Sequence, residues 1–222
     1  MAGSVWGLIA VIPAAADKRH LLLQSTSSTL ISGLYDVLLP AFTKKSGIEV
    51  RVVAVGTGQA LRNAANCDGD LVLVHSPVDE KAFMKKGFGG RRLEVMQNRF
   101  VLLGPADDPA NIKDAATISA ALRAIANSRS RFLSRGDDSG THTRERRLWS
   151  EAGINLSSAS GSWYLEAGQG MGASINLAVQ LGAYLLSDIS TWLAFGNKSS
   201  HRLLYEDSSD SLLNRYSVLT VN

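Results

Sequence analysis

The residues with the most chemical content stand together in Ser134-Arg135-Gly136-Asp137-Asp138-Ser139-Gly140-Thr141-His142, directly after the apolar pair Phe132-Leu133. An apolar strand that ends in a Ser/Gly/Thr turn and runs into a helix-compatible stretch (Arg144 to Ala152) forms a loop at a helix N-terminus. There, unpaired backbone N–H groups and the positive end of the helix dipole converge. Arg135 adds a permanent cation whose fork of donors suits paired oxygens. The chemistry this predicts is capture of an oxyanion. Asp137 and Asp138 are expected to cap the helix or orient Arg135 rather than face the ligand. A Ser139–His142–Asp138 hydrolase triad is set aside. A serine and a histidine three residues apart rarely face each other at a turn, and the chain has no Gly-x-Ser-x-Gly elbow.

Three further loops share this character. Ser25-Thr26-Ser27-Ser28-Thr29 places five hydroxyl groups at a strand-to-helix junction, where one would suffice as a cap. Gly56-Thr57-Gly58-Gln59 lets a ligand approach the backbone closely, but lacks the Gly-Lys-Ser/Thr of a phosphate-binding loop. The fourth, Glu166 to Ala173, carries Gly168-x-Gly170-x-x-Ala173 with Asp188 twenty residues after Gly168, a local dinucleotide pattern. It opens the alternative of a nucleotide-dependent oxidoreductase. Against that, the pattern falls late in the chain, with no surrounding acid–base pair.

These loops need elements to hold them. The chain reads as alternating strands and helices: strand 21–24, helix 34–45 (with Pro40 predicting a kink or a late start), strand 48–55, helix 60–65, strand 70–75, helix 77–86, strand 99–103 and helix 117–126. Strand 131–133, helix 141–152, strand 162–166, helix 170–180 and strand 183–186 follow. Strand-like runs at 203–205 and 216–221 close the chain. Near-continuous apolar strands between helices predict an α/β fold whose mainly parallel sheets are covered on both faces. Ligands in such folds bind beyond the C-terminal strand ends.

Composition narrows the function classes. The chain has 222 residues, 45% hydrophobic and 19% charged, with a net charge of +3. This mild basic bias helps attract an anion but is too weak to argue for nucleic acid, and the basic residues form no long stripe, so no nucleic-acid partner is expected. Cys67 is the single cysteine and is expected half-buried in a turn, and the four histidines lack metal-ligand spacing, so no metal site and no cofactor are expected. Trp149, Trp163, Tyr164, Tyr184 and Trp192 are expected in the core. Residues 4–16 are apolar and end in small residues, which resembles a leader with no preceding Lys or Arg. Two sequons, at Asn155 and Asn197, bear on function only in a secreted eukaryotic protein.

Six motifs stand in one order: Ser25 to Thr29, Val53-Ala54-Val55-Gly56-Thr57-Gly58-Gln59-Ala60-Leu61, Asp70 to His75, Ser134 to His142, Trp163 to Gly172, and Gly182-Ala183-Tyr184 with Thr191-Trp192. Together they closely resemble the tungstate-binding proteins of ABC transporters (TupA-like), within the periplasmic-binding-protein-like superfamily. The resemblance covers residues 21–222.

It implies a two-lobed type II fold, with residues 1–20 a leader segment, residues 21–98 plus 189–222 the first lobe and residues 99–188 the second. It implies a non-enzymatic solute-binding protein, monomeric, periplasmic or secreted, delivering to an ABC permease. A tetrahedral oxyanion, tungstate or molybdate, would sit between the lobes on Thr26, Ser27, Ser28, Thr57, Arg135, Ser139, Gly140, Thr141, Gly170 and Met171. Donor-only contacts suit a fully ionised oxyanion. Relatives open the first loop with consecutive threonines where this chain has Ser25-Thr26-Ser27, which keeps the hydroxyls. They also continue with further helices after a segment like Val218 to Asn222. A non-transporting relative of these proteins is a further reading.

Overall fold

The computed structural model describes residues 20–222, so the leader-like stretch lies outside the described residues except for His20. Alternation begins as expected. β1 (His20–Thr26) leads through a short α1 (Ser27–Ile31) into α2 (Leu34–Ser46), which includes Pro40 and starts without delay after Gly33. β2 (Glu49–Val55), α3 (Thr57–Ala65), β3 (Leu71–Val74) and α4 (Pro77–Lys85) follow.

The next strand departs from expectation. Instead of the short run at 99–103, β4 extends over Gly89–Pro105. Its first half is polar and exposed on one side, so it carries no apolar run to announce it. α5 (Ile118–Ser128), β5 (Phe132–Ser134), α6 (Gly140–Glu151), β6 (Tyr164–Glu166), α7 (Met171–Leu181), β7 (Leu185–Asp188) and α8 (Ile189–Ala194) come next, then β8 (His201–Tyr205) and β9 (Leu213–Val221).

β4 makes the molecule two-lobed, because its two halves belong to different sheets. In the first lobe β2, β1 and β3 pair in parallel, β3 pairs antiparallel with β9, and β9 pairs with β4 from Gly89 to Arg99. In the second, β4 from Phe100 onward is flanked by β7 and β8, both antiparallel. A parallel bridge between Phe132 and Tyr184 joins β7 to β5, which pairs with β6. The sheets are mixed, but parallel pairing does not predominate among the described strands: β1–β2, β1–β3 and β5–β6 pair in parallel, and β3–β9, β4–β7, β4–β8 and β4–β9 antiparallel. Strand β8, which the sequence reading assigns to the first lobe, pairs with Leu102–Pro105 in the second. Only β9 rejoins the first sheet.

Period-two alternation covers both faces of each sheet. In β4, Phe100 and Leu102 enter a core with Leu122, Trp149 and Tyr164, while Val101 and Leu103 face Met171, Ile175 and Trp192 on the other side. In β3, Val72 and Val74 pack on Ala60 and Leu61, and Leu73 packs on Leu23 and Tyr35. Trp149, Tyr164, Tyr184 and Trp192 are buried and Trp163 half-buried, as expected of core aromatics. Cys67 is the exception: it is exposed, in a left-handed turn (φ 63°) that turns it out from α3.

Candidate functional site

The loops singled out in the sequence leave their strands at the same end and meet between the lobes. Val55 ends β2 and Gly56 caps α3 with extended backbone, putting Thr57 in the first helical position. From the other lobe, Ser139 caps α6, its Oγ accepting the His142 N–H at 3.2 Å. The two loops touch: the Gly140 N–H donates to Thr57 Oγ1 at 3.2 Å. A Cβ at Gly140 would stand 3.2 Å from the His75 carbonyl and from Thr57 Oγ1, so only glycine allows this approach without movement. The loop preceding α6 turns through left-handed Gly136 (φ 57°) and Asp138 (φ 53°).

Arg135 is the buried cation of the assembly, 2% exposed. Its Nε donates to the Gln169 carbonyl at 2.8 Å and its Nη2 to Asp137. The second Asp137 oxygen accepts the Ser139 N–H at 3.2 Å. Asp137 thus orients both Arg135 and the start of α6, the supporting role expected of it. Asp138 is exposed. Beneath the loop, Glu145 is buried and accepts from Tyr164 Oη at 2.6 Å and the Arg135 N–H at 3.4 Å. Burial pushes its carboxyl up to about 7.

The five hydroxyls of the first loop divide their work. Ser25 is internal, its Oγ donating to the Leu73 carbonyl at 3.0 Å. Thr26 is the cap of α1, accepting from the Thr29 N–H at 3.4 Å, and its hydroxyl contacts that of Thr29 at 2.7 Å. Ser28 Oγ reaches His75 Nε2 at 3.4 Å. Ser27 is half-buried and lies beside Gly170, whose Cβ position is 3.4 Å from Ser27 Oγ. Gly170 caps α7 without any side-chain partner. Met171 is wholly buried in the second lobe's core, so only its main-chain N–H is available to a ligand.

Counting donors shows what the arrangement can do. Gly56 and Gly170 leave the first turns of α3 and α7 without side-chain caps, and such N–H groups have no partner within their helix. The hydroxyl hydrogens of Thr57 and Ser139 remain free to donate, because those oxygens accept from the backbone. Thr141 Oγ1 is buried with no partner among the described residues. Thr26, Ser28, Thr57, Arg135, Ser139, Gly140, Thr141 and Met171 are all buried. Ser27 and Gly170 line a cavity of about 440 Å³ at the mouth, together with Gly56, Gln59, Arg62 and Asp137. Of the ten expected residues, Ser27 and Gly170 line this cavity, Thr57 and Gly140 meet across the lobes, and the others are buried in the loops that flank them.

Residues 13–222 match the PBP superfamily domain. The chain is 43% identical over 207 residues to the tungstate-binding protein TupA of Peptoclostridium acidaminophilum, covering 92% of this chain and 71% of that one. The chain belongs to the TupA-like branch of the PBP superfamily. Solved TupA-like structures agree in shape. The tungstate ABC transporter protein of Geobacter sulfurreducens superposes with a TM-score of 0.83 at 44% identity, over 91% of this chain and 85% of that one. The tungstate-binding protein TupA of Desulfovibrio alaskensis G20 gives 0.76 at 44% identity, over 92% and 82%.

The TupA-like fold also removes the support for the dinucleotide reading. In a dinucleotide-binding unit the strands flanking the glycine loop lie side by side, whereas here β5 stands between β6 and β7. Asp188, the residue that would meet a ribose, is buried as the cap of α8. It accepts from Thr191 N–H at 3.0 Å and Thr191 Oγ1 at 2.6 Å.

His75 and Asn214 were not anticipated. Neutral by burial, His75 ends the β3 run and bonds Asn214 Oδ1 at 3.0 Å through Nδ1. Its place at a C-terminal strand end was the available signal. Asn214 lies in a polar interruption of β9 that only the pairing with Asn98 explains.

Proposed function

We propose that this chain is the solute-binding component of an ABC-type importer, closing its lobes on tungstate in the inter-lobe cleft. The observation that carries the reading is the Thr141 hydroxyl, buried without a partner among the described residues in the first turn of α6, the helix that the loop of the buried Arg135 leads into. A buried donor left unmatched is costly, and a fully ionised oxyanion satisfies it. The names of the relatives at 43–44% identity support the choice of tungstate. Thr26, Ser27, Ser28, Thr57, Ser139 and Thr141 supply hydroxyls in this proposal, Gly170 and Met171 supply N–H groups, Gly140 holds the two lobes together through its bond to Thr57, and Arg135 supplies the charge. Molybdate, with the same charge and shape, is the second ligand.

The division into lobes belongs to the same proposal. Residues 20–99 with 213–222 form one lobe and residues 100–212 the other, joined where β4 crosses and where the chain passes from β8 to β9. The expected monomer, the periplasmic or secreted address and the permease partner complete it. No acid–base constellation is called for, because binding needs none.

The test is a calorimetric and thermal titration with tungstate, molybdate, sulfate and phosphate. Saturable tungstate binding that raises the melting temperature with ligand concentration is expected. Arg135→Ala should weaken it at least about 100-fold, since a buried anion loses its charged partner. Absence of a tungstate response in the parent overturns the proposal.

A further inference from the structure

A second cavity lies between the lobes; it shares no lining residue with the mouth at Ser27 and Gly170, and Gly140 at the start of α6 is on its wall. It has a volume of about 270 Å³ and is walled by the start of α4, by α6 and by the segment leading into β9. Four cations line it, Lys81, Arg144, Arg147 and Arg215, with Asp210 as the only carboxylate. The whole chain, by contrast, has 23 basic residues to 20 acidic. Asp210 stands 3.6 Å from Arg215 and so offsets one of the four. His75, which also lines the cavity, is kept neutral by burial and adds no charge.

Arg144 gives the cavity a fixed cation. Its Nη2 donates to the Ser211 carbonyl, which ties the guanidinium to the segment leading into β9 and holds its charge in the cavity wall. Pro77, Val78, Phe100 and Leu213 give the cavity an apolar part, beside the polar Ser76, Thr143 and Asn214. The volume is close to the lower end for small-molecule sites, roughly 300 Å³, and much larger than one tetrahedral oxyanion needs.

We propose that this cavity is a second binding site, for a small organic anion that sets a carboxylate or phosphate on Arg144 and its basic neighbours and an apolar body against Val78 and Leu213. Both lobes contribute, so the ligand bridges them. Guanidinium and ammonium groups from two elements grip the head, while burial of the apolar body discriminates against inorganic anions.

The test follows the Val78 methyl resonances of the full chain during titration with benzoate and with phenyl phosphate. Inorganic phosphate serves as the charge alone and benzyl alcohol as the ring alone. At least one aromatic anion should shift Val78 saturably, and both controls should bind about tenfold or more weakly. The tighter of the two aromatic anions identifies the head group. Lys81 and Arg147 are exposed and make no side-chain hydrogen bond among the described residues, so Lys81→Ala/Arg147→Ala should keep the parent's melting temperature. It should lose about tenfold in affinity for the aromatic anion. A Val78 shift that never saturates, inorganic phosphate binding as tightly as both aromatic anions, or a double variant that binds like the parent would each overturn the proposal. An anion entering the oxyanion cleft instead gives the last of these results.

Discussion

Gly140→Ala isolates closure from folding. The substitution adds one methyl group at the first position of α6, where the backbone does not require positive φ. An alanine there restricts the unfolded chain and favours the helix, which stabilises by roughly 0.4–1 kcal/mol. The new Cβ would lie 3.2 Å from the His75 carbonyl oxygen, 3.2 Å from Thr57 Oγ1 and 3.3 Å from His75 Cε1. All three atoms belong to the other lobe. Neither neighbour gives way easily: Thr57 is anchored in the first turn of α3, and His75 is held by Asn214 and Ser28. Ligand-free protein relieves the overlap by parting the lobes, but the ligand-bound protein must keep them together. Overpacking of this kind costs roughly 1–3 kcal/mol, which corresponds to tungstate affinity reduced about 5- to 150-fold. Calorimetric titration should show that loss, while the melting temperature without ligand is unchanged or slightly raised. Parent-like tungstate affinity in the variant would show that Gly140 and Thr57 are not in contact when ligand is bound.

Glu145 gives a pH signature. Burial raises its carboxyl to about 7 from an ordinary 4.5, so the folded state keeps a proton that the unfolded chain releases. Its stabilisation is complete below pH 4.5 and lost as pH rises through 7, on the order of 3 kcal/mol. Glu145→Gln should flatten that fall in urea titrations between pH 5 and 8. Comparison with the parent cancels the opposite slope from His75, His142 and His201, whose burial lowers their pKa values. Thr141→Val removes the unmatched hydroxyl. Stability should hold or rise by up to about 1–3 kcal/mol while tungstate affinity falls about tenfold; a loss of stability with no change in affinity would speak against its role. Asp188→Ala uncaps α8 and frees Thr191, which should destabilise by roughly 1–3 kcal/mol in chemical denaturation. A neutral result would reopen the ribose reading of Asp188.

Local patterning carried much of this protein. Alternating β and α periodicity, glycine at helix starts and hydroxyls after strands are properties of neighbouring residues. For that reason the four loops at strand ends and helix starts are legible in the sequence, and so is the aromatic core. Where one residue serves two environments the pattern went silent. The first half of β4 has an exposed face, so its polar sequence did not read as a strand, and the length of β4 is what splits the molecule into lobes. β8 looks like any short strand. Its lobe is decided by pairing with Leu102–Pro105, across nearly a hundred residues of chain. The fate of Met171 was equally hidden, since an apolar side chain and a donating N–H occupy one position.

Residue types in order thus determined an α/β chain with hydroxyl- and glycine-rich loops at helix starts and an arginine among them. Only the tertiary structure decided that Asp137 holds Arg135, that Asp188 is a cap, and that His75 joins the cleft. It also decided that Lys81, Arg144, Arg147 and Arg215, scattered over 135 positions, share one cavity. The physical reason is that donors, caps and charges are satisfied through space. Chain folding sets their distances, and sequence spacing records only those that fall within a turn or two.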